Sequence, residues 1–348
     1  MFVGIRGLLN TVVNEINGIK LLVNSIPQLS IAVQFNPKFD TFTKAFDSLG
    51  EIQITSKEAV VPYVDRGLIQ AQHQRPAEPS LHKLDNLQLK LRTNIKMGEK
   101  NSLVMSCLIL PNKSIMIASW NKPSLTIIKE DGSHDRDISV PYEPYDITII
   151  DDQRAAVSYG YKKPRITCIT IVNINNQRTN QTLKNLCKEG ILGITYNDGK
   201  LYVVADRVGI KVIDLDGNII KTIRIYNDAR RTYKVTTQKD KIYYSVYDGS
   251  VHCVDMEGTE IWNCRDDRLQ SSVSSPAIAV DNYGITFAAG LNNNLLLAIS
   301  ADGKQQKVLL TTLDVLQHPN VVYYDKDSGR LLVCDLKNGH AALYDAIY

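Results

Sequence analysis

ILGITYNDGKLYVVADRVGIKVIDLDGNIIKTI, residues 191–223, decides the fold. It holds four short apolar runs, Leu192–Tyr196, Leu201–Ala205, Ile210–Asp214 and Ile219–Ile223, separated by Asn197-Asp198-Gly199 and Asp216-Gly217. Asx-Gly steps of this kind suit hairpins, because tight hairpin turns demand positive φ. The runs are rich in Val, Ile and Tyr and too short for helices. They predict one four-stranded antiparallel meander.

Working outward, the punctuation repeats along the chain. First-to-second-strand turns begin at residues 112, 152, 198, 239, 282 and 327, at intervals of 40, 46, 41, 43 and 45. Each is followed by a similar strand pattern, from Ile115–Trp120 to Leu331–Leu336. A second series, Asp131-Gly132, Asp216-Gly217, Glu257-Gly258 and Asp302-Gly303, marks the turn between strands three and four. A four-strand unit recurring every forty-odd residues specifies an all-β, six-bladed β-propeller. The sixth unit, with Val321–Tyr324, Leu331–Cys334 and Ala341–Tyr344, is one strand short. The cleanly alternating stretch Leu87–Ile95 stands outside the count, and it is expected to complete that blade and remove two open edges.

Upstream, Phe2, Ile5, Leu9, Val12, Ile16, Ile19, Val23 and Ile26 step by 3, 4, 3, 4, 3, 4, 3. This heptad seam predicts a short helical coiled-coil remnant over 1–26, through which copies of the chain would self-associate; the alternative is a helix packed on its own propeller. Residues 27–64 read as a compact connector, with an extended Ile31–Phe35, a helix after Asp40 and an extended Glu51–Thr55. Residues 65–80 are polar and proline-punctuated, a linker, and 81–348 form the propeller.

Val203-Val204-Ala205-Asp206, then Ile210–Asp214 and Gly217, resembles the NHL repeat of tripartite-motif ubiquitin ligases. The order of coiled coil, connector, linker and propeller resembles the C-terminal part of those proteins. The resemblance implies a domain that selects a target in the ubiquitin pathway while the helix gathers copies. The RING and B-box zinc modules that precede it in the family have no counterpart here, so the expectation is recognition without ligase activity.

Composition fits this plan. Apolar residues make up 44% and charged residues 22% of the 348, as in a soluble globular protein. Residues 1–80 carry seven basic and seven acidic residues, so the whole net charge of +3 lies in 81–348, 33 basic against 30 acidic. The six cysteines, at 107, 168, 187, 253, 264 and 334, form no C-x-x-C, and those at 107, 168, 253 and 334 read as small core fillers within strands. With neither a long apolar run nor a secretory leader pattern, a cytoplasmic setting is expected.

Catalytic patterns are absent from the sequence. There is no G-x-S-x-G, H-E-x-x-H or phosphate-binding glycine loop, and the six histidines are scattered. No enzyme activity, metal or cofactor is therefore expected. A lactonase-like propeller hydrolase, holding calcium through Asp206 or Asn292–Asn294 facing the tunnel, is a third reading. The surface offers more. First-to-second turns balance their charges, whereas second-to-third loops and inter-blade links are more basic and aromatic. There Tyr161, Lys162, Lys163, Arg165, Arg207, Tyr226, Arg230 and Arg231 form the candidate contact patch, with Tyr142, Tyr145, Arg265 and Arg268 on the same face. Tyr and Arg are favoured at protein-binding hot spots. The alternative partner is single-stranded RNA, with phosphates on Arg and Lys and bases stacked on the tyrosines. The plain reading is a solvated rim.

Overall fold

The computed structural model describes residues 84–97, 103–160, 167–188, 190–225, 232–271, 275–311, 318–336 and 339–348, with the backbone of 29–34 and 51–56. The chain divides into two compact units, Met1–Arg75 and Pro76–Tyr348. In the first, β1 (Leu29–Gln34) pairs antiparallel with β2 (Glu51–Ser56), so the two segments expected to be extended form one ladder. The expected helices over 1–26 and after Asp40, and the 65–80 linker, lie outside the described residues.

Among the described residues, the second unit opens with a 3-10 turn, Leu84–Asn86, and β3 (Gln88–Lys96). Blade 1 comprises β4 (Val104–Ile109), β5 (Ile115–Ser119), β6 (Ser124–Ile128) and β7 (His134–Ser139). Blade 2 has β8 (Asp146–Ile149), β9 (Arg154–Ser158), β10 (Ile169–Asn173) and β11 (Arg178–Leu183). Blade 3 has β12 (Ile191–Asn197), β13 (Lys200–Ala205), β14 (Gly209–Asp214) and β15 (Ile219–Ile223). Blade 4 has β16 (Thr232–Gln238), β17 (Lys241–Val246), β18 (Ser250–Asp255) and β19 (Glu260–Arg265). Blade 5 has β20 (Ala277–Val280), β21 (Thr286–Gly290), β22 (Leu295–Ile299) and β23 (Gln306–Leu310). Blade 6 is β24 (Pro319–Asp325), β25 (Arg330–Asp335) and β26 (His340–Ile347), completed by β3.

Each blade is an antiparallel meander, and the inner strands β4, β8, β12, β16, β20 and β24 neighbour one another in turn, with β24 returning to β4. The ring is closed. In the hairpin read first from sequence, Asp198 and Gly199 take φ of +47° and +73°, the left-handed pair of a type I′ turn. The three inner strands of a blade face neighbours on both sides and are buried nearly throughout, which is why they read as continuous apolar runs. The outer strand β15 is exposed or half-buried along most of its length, Ile219 and Ile220 included, and only Ile223 is buried.

The core is divided among the blade junctions. Between blades 3 and 4, Leu192, Val204 and Val212 meet Val235, Tyr244 and Val254. Between blades 6 and 1, Ile95, Val321 and Leu343 meet Ile109, Ile117 and Ile128. The sulfurs of Cys107 on β4 and Cys334 on β25 approach to 3.0 Å at that same junction. Cys168 departs from its expected place: it precedes β10 and is partly exposed.

β3 closes the ring as expected, pairing with β26 from Lys96 opposite His340 to Gln88 opposite Ile347. Beyond β26, the Tyr348 hydroxyl donates to Asp281 Oδ2 on blade 5 and lies 3.4 Å from the Tyr324 hydroxyl. Asp281 is fully buried, and its Oδ1 accepts from the amides of Tyr283 and Ile285, each at 2.8 Å. Burial holds its carboxyl above the ordinary carboxylate range, against the opposing pull of those hydrogen bonds. A raised folded-state pKa means that the folded protein binds this proton more tightly than the unfolded chain. The stabilisation is complete below the unfolded value, about 3.9, and is lost as pH rises through the folded one. Asp281→Asn keeps the Oδ1 acceptor for those two amides and cannot ionise. Its stability relative to wild type, read by urea unfolding from pH 4 to 7, should therefore improve as pH rises. A difference that is constant, or that shrinks with pH, would refute this.

Candidate functional site

The inner strands enclose a cavity of about 520 Å³ on the propeller axis. Ile109, Ile147, Ile149, Val235, Ile278 and Val322 are among its apolar lining, with Tyr323 beside them. At its end near the first-to-second turns it meets Lys113, Asp151, Asp152, Lys326 and Asp327. That rim is stitched from blade to blade. The Asn197 side-chain amide donates to the Lys239 carbonyl at 3.2 Å, Gln238 to the Asn282 carbonyl at 3.2 Å, and Asn282 to the Lys326 carbonyl at 2.7 Å.

Toward the starts of the inner strands the lining turns polar. Lys234 Nζ lies 3.2 Å from Asp146 Oδ1 and donates to the Met105 carbonyl at 2.8 Å. Their side chains are only 13% and 8% exposed, so this ion pair is held away from bulk water. Asp146 Oδ2 also accepts from the Ile194 amide at 3.1 Å, and Thr148 Oγ1 from the Tyr196 amide at 3.1 Å. These side chains give the β12 backbone acceptors that no neighbouring strand supplies. Lys234 further sits 5.3 Å from the centre of the Tyr145 ring.

Tyr145 leads to the face bearing the second-to-third loops and inter-blade links. Its ring meets Trp120 edge-on at 5.8 Å, and Tyr142 meets Tyr159 edge-on at 5.3 Å. Gly160, at φ +67°, lets the chain pass: a Cβ there would stand 2.7 Å from the Tyr145 ring. Sequence reading counted Tyr145 as a surface aromatic, but it is 6% exposed; Tyr142, 45% exposed, is the accessible member.

Of the eight positions in the candidate patch, Arg207 is described; Tyr161, Lys162, Lys163, Arg165, Tyr226, Arg230 and Arg231 lie outside the described residues. The Arg207 side chain is exposed and its Nε stands 3.7 Å from Asp206. Arg268 is 2.6 Å from Asp266, and Arg265 is 3.4 Å from Asp267 and 3.9 Å from Asp248. The Arg268 pair holds the Asp266 carboxyl below the usual carboxylate range.

The residues suggested for calcium do not line the cavity. Asp206 is buried beside Arg207, the Asn293 side chain donates to the Arg268 carbonyl, and Asn294 accepts from the His318 amide. Among the described residues no group of three or more His, Cys, Asp or Glu is arranged to hold a metal ion. No described helix is long and apolar enough to cross a membrane.

One constellation was missed from sequence. On blade 4, His252 Nε2 lies 2.9 Å from Ser250 Oγ and Nδ1 lies 2.9 Å from Glu260 Oε2, the order of a serine–histidine–carboxylate relay. The S-x-H spacing on a strand, which puts both side chains on one face, was the available signal. Ser250 is 4% exposed, and its hydroxyl donates to Asp248 Oδ1 at 2.6 Å. The His252 ring stacks on Tyr244 at 4.9 Å, and its hydrogen bond lowers the Glu260 carboxyl. Covered, and with its proton committed to Asp248, Ser250 is not placed to attack a substrate. The chain ties a loop to an outer strand.

No protein-family model matches this sequence, and no curated protein matches it. Among solved structures, it resembles the crystal structure of a structural genomics protein of unknown function from Bacteroides thetaiotaomicron VPI-5482. The TM-score is 0.59 at 11% identity, over 75% of this chain and 76% of that one. At that identity the likeness is one of fold.

Proposed function

We propose that the propeller is a non-enzymatic binding module that recognises a protein partner on the face of second-to-third loops and inter-blade links. The NHL-like repeat read in blade 3 suggests the same role, target selection of the tripartite-motif kind. The observation that carries the choice of a protein over RNA is the pairing of arginines on that face. Arg207, Arg265 and Arg268 each have a carboxylate within 4 Å. A phosphate would have to displace those carboxylates and face their charge, whereas a protein surface can use the intact pairs as a polar rim around exposed Tyr142.

Affinity capture from a native cell lysate, with and without RNase, tests this when the captured partner is titrated against variants at two salt concentrations. Binding should survive RNase and depend weakly on salt. Tyr142→Ala should weaken it by about 2 kcal/mol, roughly thirtyfold, as loss of a hot-spot tyrosine does. Capture abolished by RNase, with a log–log salt slope of about −0.7 per phosphate contact that flattens in Arg207→Glu, would replace this reading with the RNA one.

A further inference from the structure

Cys107 and Cys334 are 227 positions apart in the chain, yet their sulfurs stand 3.0 Å apart. Non-bonded carbon atoms ordinarily sit about 3.5–4.0 Å apart, and sulfur is larger. A disulfide bond is about 2.05 Å long, so each sulfur need move only roughly half an ångström to form one. The two residues project from β4 and β25 into the apolar junction where blade 6 meets blade 1, among Ile95, Ile117 and Val321. Both are buried, at 3% and 0% exposure. This is the junction that the pairing of β3 with β26 closes without a covalent bond.

We propose that Cys107 and Cys334 are a disulfide site that staples blade 6 to blade 1, formed by exchange with a small-molecule disulfide of the glutathione class while the seam is open. One cysteine thiolate attacks the S–S bond of the oxidant, which releases one thiol and leaves a mixed disulfide. The second cysteine then displaces the other half. Two cysteine thiols give up two protons and two electrons, and the oxidant becomes two thiols. Burial sets the order of events. In the closed ring no oxidant reaches either sulfur, and burial beside the Cys107 sulfur pushes the Cys334 thiol well up, so the attacking thiolate is scarce. Exchange belongs to folding, or to moments when β3 is displaced. The closed seam then shields the bond from reductant.

The bond would close a loop of 227 residues and constrain the unfolded chain strongly. Full-length protein is unfolded in reductant, refolded with either reduced glutathione alone or a reduced/oxidised mixture, and then alkylated. The sample from the mixture should be lighter by two hydrogens before alkylation and should titrate four of its six thiols. It should yield a linked Cys107–Cys334 peptide and melt roughly 10 °C above the reduced sample. Cys334→Ser, treated identically, should show neither the linked peptide nor the shift. Should the serine variant not fold, wild type decides alone, since both readouts are taken on it. Refolded protein from the mixture with all six thiols titratable, or with a link between other cysteines, overturns the proposal.

Discussion

Deletion of residues 84–97 should leave the propeller without a cooperative unfolding transition. Leu84, Leu87, Ile95 and Met97 are buried in the structure, and each contributes about 2 kcal/mol by burial. Their sum, about 8 kcal/mol, is comparable with the 5–15 kcal/mol of a typical domain. The deletion also strips β26 of its outer partner from His340 to Ile347 and leaves an unpaired edge. Circular dichroism and light scattering should report loss of the thermal transition together with aggregation. If the shortened protein melts at the wild-type temperature and stays monodisperse, the closing ladder adds little and the ring is held by its inner strands.

Lys234→Met should cost about 3 kcal/mol in urea unfolding. The change keeps the length of the side chain but leaves the Asp146 carboxylate in the channel with only backbone amides for partners, Ile147 and Ile194. Breaking a buried pair by removing one partner costs 3–5 kcal/mol, because the remaining charge is uncompensated. Adding Asp146→Asn should restore at least half of the loss, since the neutral amide keeps an acceptor for Ile194 and carries no charge. The cycle isolates the coupling. A Lys234→Met cost below about 1 kcal/mol would mark the pair as surface-like, with water reaching it through the cavity.

The blades were legible because their cause is local. Alternation in Leu87–Ile95 and the Asp198-Gly199 turn each specify backbone geometry within a few residues, and counting strands then forced β3 into blade 6. What decides the site is not local. Tyr145 sits in a link beside Pro144, where exposure is the fair expectation; its burial follows from Gly160, Trp120 and Lys234 arriving from three other segments. Asp146 and Lys234 meet across the axis from blades 2 and 4, 88 positions apart, and no spacing rule joins them. Cys107 and Cys334 were placed in the core correctly, but their pairing depends on ring closure, which composition does not reveal. Charge counting found both the arginines of the loop face and the acidic residues Asp206, Asp248, Asp266 and Asp267 among them, but not which arginine each one holds.

The ladder between β3 and β26 also sets a timetable. Lys96 pairs with His340, so a ribosome that has finished β3 must add some 244 residues before the partner exists. At 5–20 residues per second that is a wait of roughly 12 to 50 s, far longer than the microseconds in which a hairpin forms. All the strands of blades 1 to 5 emerge during that interval, while β3 has no partner to pair with. Lys90, Arg92 and Lys96 punctuate it with positive charge along the way, and charged residues are what keep an idle strand from pairing with the wrong neighbour. The first strand of this ring to be made is the last to be used.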